Sequence, residues 1–327
     1  MERTLVERLV AKPELGPLIL LLLELIVFTA INPEFLSALN ISNALTFTVE
    51  LGLIALAMTL LMTSGEFDLS VGSVFGFSAV LMWTLFNTGL MPMWVAFVVT
   101  LVMALFIGWA NGMLVTKQGI PSFLVTLGML LVVRGTALYT TQGFPQNTWK
   151  ADSQWLAQLL VGDATFFGIR LYMSMFWFVL AALATHYVLT QTKVGNWIQA
   201  SGGNANAARA RGVPVARVKI LLFMLSSVMA AFAGIISSIR TQAANPNSGT
   251  SYELEVIAMV VIGGTVLTGG RGTIIGTVLG ILILRLMRNG IVLIGVPGLA
   301  YSIFIGGIIL GMMVLHNFIE HRHHAGT

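Results

Sequence analysis

Residues 91–115 read MPMWVAFVVTLVMALFIGWANGMLV and contain no Asp, Glu, Lys or Arg. About 20 predominantly apolar residues are enough for a helix to cross the hydrocarbon core of a bilayer. Only helices and closed barrels satisfy their own backbone hydrogen bonds in lipid, and this run lacks the alternation of a barrel strand. The stretch therefore predicts a transmembrane helix, and similar runs elsewhere predict an all-α, polytopic integral membrane protein.

The composition of the whole chain agrees with this run. Hydrophobic residues occupy 57% of the 327 positions and charged residues only 9%, whereas a soluble domain carries about 25% charged residues. The formal charge of +4 is explained by the Lys and Arg that collect in cytoplasmic loops, so we expect no nucleic-acid partner. The chain has no cysteine, which excludes disulfides and thiolate metal sites.

Window hydropathy extends the pattern to about ten spans in a single transmembrane domain over residues 1–327. The first span is expected to be retained, because no small-residue cleavage site follows a short apolar core. Some spans are expected to be broken helices. The expected spans are 15–31, 44–62, 71–87, 91–115, 121–140, 171–191, 220–239, 253–268, 272–288 and 297–315.

Loop charges orient these spans. With the N-terminus inside, eleven Lys and Arg residues fall on the cytoplasmic side and five outside, as the positive-inside rule requires. We therefore expect a cytoplasmic N-terminus at 1–14, a cytoplasmic loop at about 193–219 and a cytoplasmic tail at about 316–327. The external connection 143–170 predicts an interfacial helix or a docking surface for an external partner, because it carries the aromatic residues Trp149, Trp155, Phe166 and Phe167.

Segment 201–219, SGGNANAARARGVPVARVK, is a polar island between apolar flanks and holds four of the seventeen Lys and Arg residues. Asn204 is a good helix N-cap, Ala205–Arg211 favours a helix, and Gly212 followed by Pro214 ends it. A helix of two turns is not stable alone in water. The segment therefore either packs against a partner or is a charged connector that only fixes topology.

Three segments resemble one protein family. Asn206, Ala207, Ala208 and Gly212 follow the Glu-Ala-Ala-Xaa-Xaa-Xaa-Gly coupling loop of ATP-binding-cassette importer permeases, with Asn206 in the Glu place. Segments 202–219, 64–73 and 261–272 resemble the ribose/xylose-type branch of monosaccharide permeases. These segments occur in the same order as in the family and extend from residue 64 to residue 272. The resemblance therefore covers essentially the whole chain.

The resemblance implies a non-enzymatic permease subunit in the bacterial inner membrane that imports a monosaccharide or polyol by alternating access. It implies three partners: ATP-binding-cassette ATPase subunits, a second permease chain that is identical or homologous, and an extracytoplasmic sugar-binding protein. ATP and Mg²⁺ would bind to the ATPase, because this chain has no phosphate loop and no cofactor of its own is expected. The sugar itself stays open.

The same resemblance places the ATPase-coupling residues in the polar island. Ala207, Ala208 and Arg211 are expected roughly on one side of the short helix, and Arg209, Arg211 and Arg217 are suited to acidic residues of the ATPase. The implied coupling residues are Gly203, Asn204, Asn206, Ala207, Ala208, Arg209, Arg211 and Gly212.

Segment 64–73 carries acids between two spans, where ionisable groups are costly. Asp68 and Ser70 suit a helix cap or break, a part in gating or the sugar pathway, or coupling to protons or sodium. The last option, through Glu66, Asp68 or Glu24, is the alternative of an ion-coupled secondary transporter; a non-transporting scaffold is a third class. The gating or translocation candidates are Glu66, Asp68, Ser70, Gly72, Gly264 and Gly272.

Two further patterns keep alternatives open. The glycines of 263–280 stand at helical spacing, which favours close helix packing or a hinge over a nucleotide site. Segment 70–77 echoes 270–277, which indicates either a structural repeat or helix packing.

Glu24 lies deep in the first span, packed inward or at a subunit contact, and Arg134 is a possible partner.

Overall fold

The computed structural model describes residues 14–147, 154–166, 169–297, 300–301, 303–307 and 310–311. The predicted tail 316–327, Trp149, Phe167 and nearly all of the predicted N-terminal segment 1–14 lie outside the described residues, as do parts of the predicted span 297–315. The described helices are α1 (Leu15–Ile31), α2 (Ala38–Thr63), α3 (Val71–Asn87), α4 (Met93–Lys117), α5 (Ser122–Thr141), α6 (Gln154–Val161), α7 (Met173–Gln191), α8 (Lys193–Gly203), α9 (Ala205–Ala210), α10 (Val215–Thr241), α11 (Tyr252–Ile262) and α12 (Ile274–Leu293), with one 3₁₀ turn at Pro33–Leu36.

Six of the described helices are long and apolar enough to cross a membrane: α2, α4, α5, α7, α10 and α12. Helices α1 and α3 are apolar but shorter. The all-α, multi-pass class is therefore confirmed, whereas the count of about ten spans is not. The predicted continuous span 253–268 is wrong, because α11 ends at Ile262 and Gly264 adopts the left-handed region with φ +91°.

Helix α2 forms the centre of the fold. The membrane-length window of α2 is 89% buried, whereas the corresponding windows of α5 and α7 are only 22% buried. Helices α10, α12, α7 and α11 pack around α2, and α10 also packs against α3 and α4. The core is a helix bundle whose outer helices leave apolar side chains uncovered, as expected for a surface in contact with lipid.

The two ends of the bundle are named here by the elements found at each end. Helix α7 runs from a β-hairpin, β2 (Asp163–Phe166) with β3 (Ile169–Tyr172), to the α8–α9 segment. We call these the hairpin end and the α9 end. A second short ladder pairs β1 (Gln146–Asn147) with β4 (Ala243–Ala244). The connection predicted to hold an interfacial helix thus contains α6 and a hairpin that the sequence did not predict.

Residues 245–251 re-enter the bundle after β4. The start of this segment lies level with the end of α3. Asn87, the last residue of α3, donates from Nδ2 to the carbonyl of Asn147 at 3.0 Å. Asn147 lies in β1, the strand that pairs with β4 just before the segment. The segment then passes Gly76 and Gly72, where a β-carbon would overlap the Ser248 and Gly249 carbonyl oxygens. Helix α11 starts from there, so the chain crosses this part of the bundle as an irregular segment followed by a short helix.

Candidate functional site

Helix α9 is capped at both ends as its sequence predicts. The Asn204 side chain accepts from the backbone N–H of Asn206 at 3.1 Å and of Ala207 at 2.9 Å. At the other end Gly212 adopts φ +82°, and its N–H donates to the Arg209 carbonyl while the Val213 N–H donates to the Ala208 carbonyl, both at 3.0 Å. This pair of bonds is a Schellman motif, which favours glycine at the left-handed position.

The faces of α9 differ from the sequence expectation. Ala208 is 5% exposed and points into the protein, whereas Ala207 and Arg211 are exposed. The three residues therefore do not share one side, because Ala208 holds α9 against its own chain. Arg209 is also exposed, and its Nη1 donates to Asn206 Oδ1 at 2.9 Å. The surface open to a partner consists of Asn206, Ala207, Arg209, Ala210, Arg211 and Gly212.

The end of α8, directly before α9, meets two other segments in close backbone contacts. A β-carbon at Gly202 would overlap the Thr63 carbonyl oxygen, and one at Gly269 would lie 2.8 Å from the Gly65 Cα. The Gly270 N–H donates to the Thr63 carbonyl at 2.8 Å. We call the contact of Gly65, Gly202, Gly269 and Gly270 the main-chain joint. It brings together the three segments that carry the family resemblance.

An ion pair lies beside this joint. Nζ of Lys219, in the second turn of α10, is 2.6 Å from Oε1 of Glu66, and the two side chains are only 12% and 16% exposed. Glu66 is thus joined to the helix that follows α9. The sequence placed Glu66 among the gating candidates without this partner, which lies 153 residues away along the chain.

Asp68 and Ser70 form a separate, fully buried polar network. Asp68 Oδ1 accepts from the Ser70 N–H at 2.9 Å and from the Ser70 hydroxyl at 2.6 Å. Asn111 Nδ2 donates to the Ser70 hydroxyl oxygen at 3.1 Å. The Oδ2 of Asp68 and the Oδ1 of Asn111 are buried and have no hydrogen-bond partner among the described residues. Ser70 precedes α3, but its side chain does not cap that helix.

The three glycine candidates lie apart from one another. Gly72 lies under the re-entrant segment, Gly264 ends α11, and a β-carbon at Gly272 would overlap the Thr63 hydroxyl beside the main-chain joint. The echo between 70–77 and 270–277 stays a hypothesis. Thr273 caps α12 with its side chain, whereas the aligned Ser73 lies inside α3.

The possible pairing of Glu24 with Arg134 does not occur. Nη1 of Arg134 donates to the carbonyls of Pro246 and Ser248 and to the Thr250 hydroxyl, each at 3.1 Å. The two carboxylate oxygens of Glu24 are buried without a hydrogen-bond partner in the described part of the chain. Arg134 instead holds the re-entrant segment, which the polar run NPNSGTS at 245–251 could have indicated.

Further ion pairs cross the bundle between α2, α10, α11 and α12. Arg240 Nε donates to Glu50 Oε1 at 2.9 Å. Glu255 lies 3.9 Å from both Arg285 and Arg288. These pairs were missed by sequence reasoning because the partners lie on different helices, far apart along the chain. They hold elements together within the bundle, since Glu50 and Arg285 are both nearly inaccessible.

Comparison with known proteins gives a consistent result. Residues 40–313 match the family described as "Branched-chain amino acid transport system / permease component". The ribose import permease of Bacillus subtilis (strain 168) is 36% identical over 302 residues, which is 92% of each chain. The ribose import permease of Escherichia coli (strain K12) is 34% identical over 91% of each chain. The xylose/arabinose import permease of Sulfolobus acidocaldarius is 32% identical over 88% of this chain and 80% of that protein. No solved structure matches the chain.

Proposed function

The chain belongs to the family of branched-chain amino acid transport system permease components, and from this premise we propose that it is the membrane-spanning subunit of an ATP-driven sugar importer. The description of the family names amino acids. The relatives that align over most of this chain are named as ribose and xylose/arabinose import permeases. Their names favour a monosaccharide or a related polyol as the cargo and weigh against the ion-coupled alternative.

The observation that carries this proposal is the position of α9. It is a short, doubly capped helix with an exposed basic face, and it adjoins the main-chain joint through α8. Ala208 holds α9 against its own chain, and the exposed Ala207 permits close approach of another backbone. The exposed arginines of α9 suit an acidic surface of a separate ATPase.

Alternating access follows from this arrangement. In the proposed orientation the α9 end is cytoplasmic and the hairpin end is external, where the sugar-binding protein delivers its cargo. When the ATPase subunits close on ATP, they displace α9. The main-chain joint and the Lys219–Glu66 pair then carry the displacement into α2, α10 and the segment between α11 and α12. A second permease chain, identical or homologous, completes the pathway in the inner membrane.

In this proposal the chain forms the pathway and positions the cargo. The ATPase binds ATP and Mg²⁺ and carries out the hydrolysis. An ion-coupled mechanism would need an acid that is free to exchange its ion. Glu66 is paired with Lys219, and although Asp68 and Glu24 keep unpaired carboxylate oxygens, the relatives named above are import permeases. We therefore assign the 1–327 domain to ATP-dependent transport.

A single substitution on the exposed face of α9 tests the proposal. The complex is purified through a tag on this chain and reconstituted in vesicles with ATP inside, and uptake of labelled D-ribose and D-xylose is measured with the sugar-binding protein added outside. Ala207→Glu should abolish co-purification of an ATP-binding-cassette ATPase and ATP-driven uptake, because it places an acid where an acidic surface is expected. Ala164→Glu, at an exposed alanine of the hairpin end, is the matched control for co-purification and should retain the ATPase as the unaltered chain does. Uptake that an ion gradient drives without ATP would contradict the proposal.

A further inference from the structure

The re-entrant segment 245–251 reaches deep into the bundle. Gly76 and Gly72, which its carbonyls contact, lie 11 and 15 residues from Asn87 at the hairpin end of α3. At 1.5 Å per residue these positions are about 16 and 22 Å below that end. The hydrocarbon core of a bilayer is about 30 Å thick, so the apex of the segment lies near the middle of the membrane.

The apex is polar and uncovered at this depth. Asn247, Thr250 and Ser251 are exposed, and the Ser251 side chain caps no helix although it precedes α11. Irregular backbone at membrane depth is tolerated only where protein buries it or where it lines a water-filled cavity. A surface of exposed amide and hydroxyl groups therefore cannot face lipid.

Arg134 adds a charge to the same surface. It lies seven residues before Thr141, the last residue of α5, so its Cα is about 10 Å below the hairpin end of that helix. Its three hydrogen bonds within the described residues all use Nη1. Nε and Nη2 are thus left to serve another acceptor, and Glu253 is within electrostatic reach as a counter-charge. A cation at this depth marks a pathway or a protein contact.

We infer that the apex 245–251 together with Arg134 is a sugar-contacting surface of the translocation pathway, an inference that rests on the proposed import function. A monosaccharide is neutral and carries adjacent hydroxyls, each of which can both donate and accept. The free N–H groups of Arg134 donate to hydroxyl oxygens in a fixed planar geometry. Asn247, Thr250 and Ser251 offer further amide and hydroxyl partners on the same surface.

Placement at this depth agrees with how transporters bind their cargo. Substrate sites commonly lie near the bilayer midplane, where discontinuous helices begin or end. Helix α11 begins at the apex and crosses only the part of the bundle toward the α9 end. The cargo that fits is an uncharged polyol, because a single Arg with a nearby Glu leaves no net charge for an ionic substrate.

Cysteine accessibility tests the inference, since the chain contains no cysteine of its own. Asn247→Cys and Ser251→Cys are introduced singly into the assembled importer in vesicles. Each is treated with a water-soluble, charged methanethiosulfonate reagent, with and without ATP. Val102→Cys is the control: Val102 is 56% exposed on α4 and lies nine residues from Met93, about 14 Å below the hairpin end, where it should face lipid.

We expect both apex cysteines to react at least tenfold faster than Val102→Cys, at rates that change when ATP is added, and the modification to block uptake. Asn247→Leu should raise the KM for uptake about tenfold by removing a hydrogen bond to the sugar. Apex cysteines that react no faster than the control, or whose reaction rates do not change with ATP, would overturn the inference.

Failure of the proposed function gives a different result. An unaltered importer that takes up none of a panel of pentoses, hexoses, deoxy-sugars and polyols with ATP refutes sugar import by this chain. The ATP-dependent labelling rates still decide whether the apex lines an aqueous pathway. Uptake by the unaltered importer together with unreactive apex cysteines refutes only the inference.

Discussion

The substitution Glu66→Gln removes the charge of the ion pair with Lys219 while keeping the shape of the side chain. The atoms Nζ and Oε1 are 2.6 Å apart, and the side chains are 12% and 16% exposed. Exposed ion pairs contribute about 0–1 kcal/mol to the free energy of unfolding, and removing one partner of a fully buried ion pair lowers it by about 3–5 kcal/mol. A pair buried to this extent should contribute about 1–3 kcal/mol, between these limits.

That energy is large enough to change a conformational equilibrium. If the pair is present in only one of two transport states, its loss shifts their ratio by about 5–150-fold. Because Lys219 follows α9 and Glu66 follows α2, we expect the loss to separate ATP hydrolysis from sugar movement. Glu66→Gln and Lys219→Met should each lower the number of sugars imported per ATP hydrolysed by about tenfold, while the ATPase still co-purifies.

The measurement compares uptake and phosphate release in the same vesicles. The exchange Glu66→Lys with Lys219→Glu should recover most of the coupling, since it restores an ion pair at the same place. The control is the exposed pair of Arg170 and Asp163, whose side chains are 59% and 37% exposed; Asp163→Asn should change the ratio less than twofold. The reasoning fails if Glu66→Gln keeps the ratio within twofold, or if the exchanged pair is no better than either single change.

Three further outcomes follow from the same contacts. Gly202→Ala should lower the melting temperature of the purified chain by several degrees, because its β-carbon overlaps the Thr63 carbonyl oxygen; Gly135→Ala, with no atom within 4 Å, should not, and equal melting temperatures would contradict the close contact. Asn204→Ala should destabilise α9 by about 1 kcal/mol and weaken ATPase co-purification, whereas Asn204→Asp keeps the cap and the co-purification; equal effects would show that the cap is unimportant. Asp68→Asn should retain ATP-driven uptake and Asp68→Leu should lose it, because the amide still accepts the two bonds to Oδ1; loss in both variants would favour an ion-coupled role.

Local signals were sufficient for the parts of the fold that depend on neighbours in sequence. The run 91–115 lies almost entirely within α4, Met93–Lys117, because lipid demands an unbroken apolar helix. Asn204 and Gly212 bound α9 as their capping chemistry predicts. The membrane class and the permease family followed from such signals. The coupling role of α9 stays a proposal, since the ATPase is a separate chain.

Other features depend on residues that are far apart along the chain. The hydropathy window over 253–268 averaged across the turn after Ile262, so a short helix was predicted as a full span. Arg134 was a possible partner for Glu24, yet its guanidinium donates hydrogen bonds to backbone carbonyls of the re-entrant segment instead. The partner of Glu66 could not be deduced either, because no local pattern encodes a contact across 153 residues.

The main-chain joint at Gly65, Gly202, Gly269 and Gly270 has a mechanical consequence. Side chains act as soft spacers, because they change rotamer and absorb small displacements. Here the backbone of one glycine lies directly against the backbone of the next segment, so we expect little of a shift of one segment to be taken up locally. We therefore expect the joint to behave as a rigid connection and not as a flexible one. If α9 is the contact with the ATPase as proposed, we expect a displacement of α9 to reach the membrane helices through this joint.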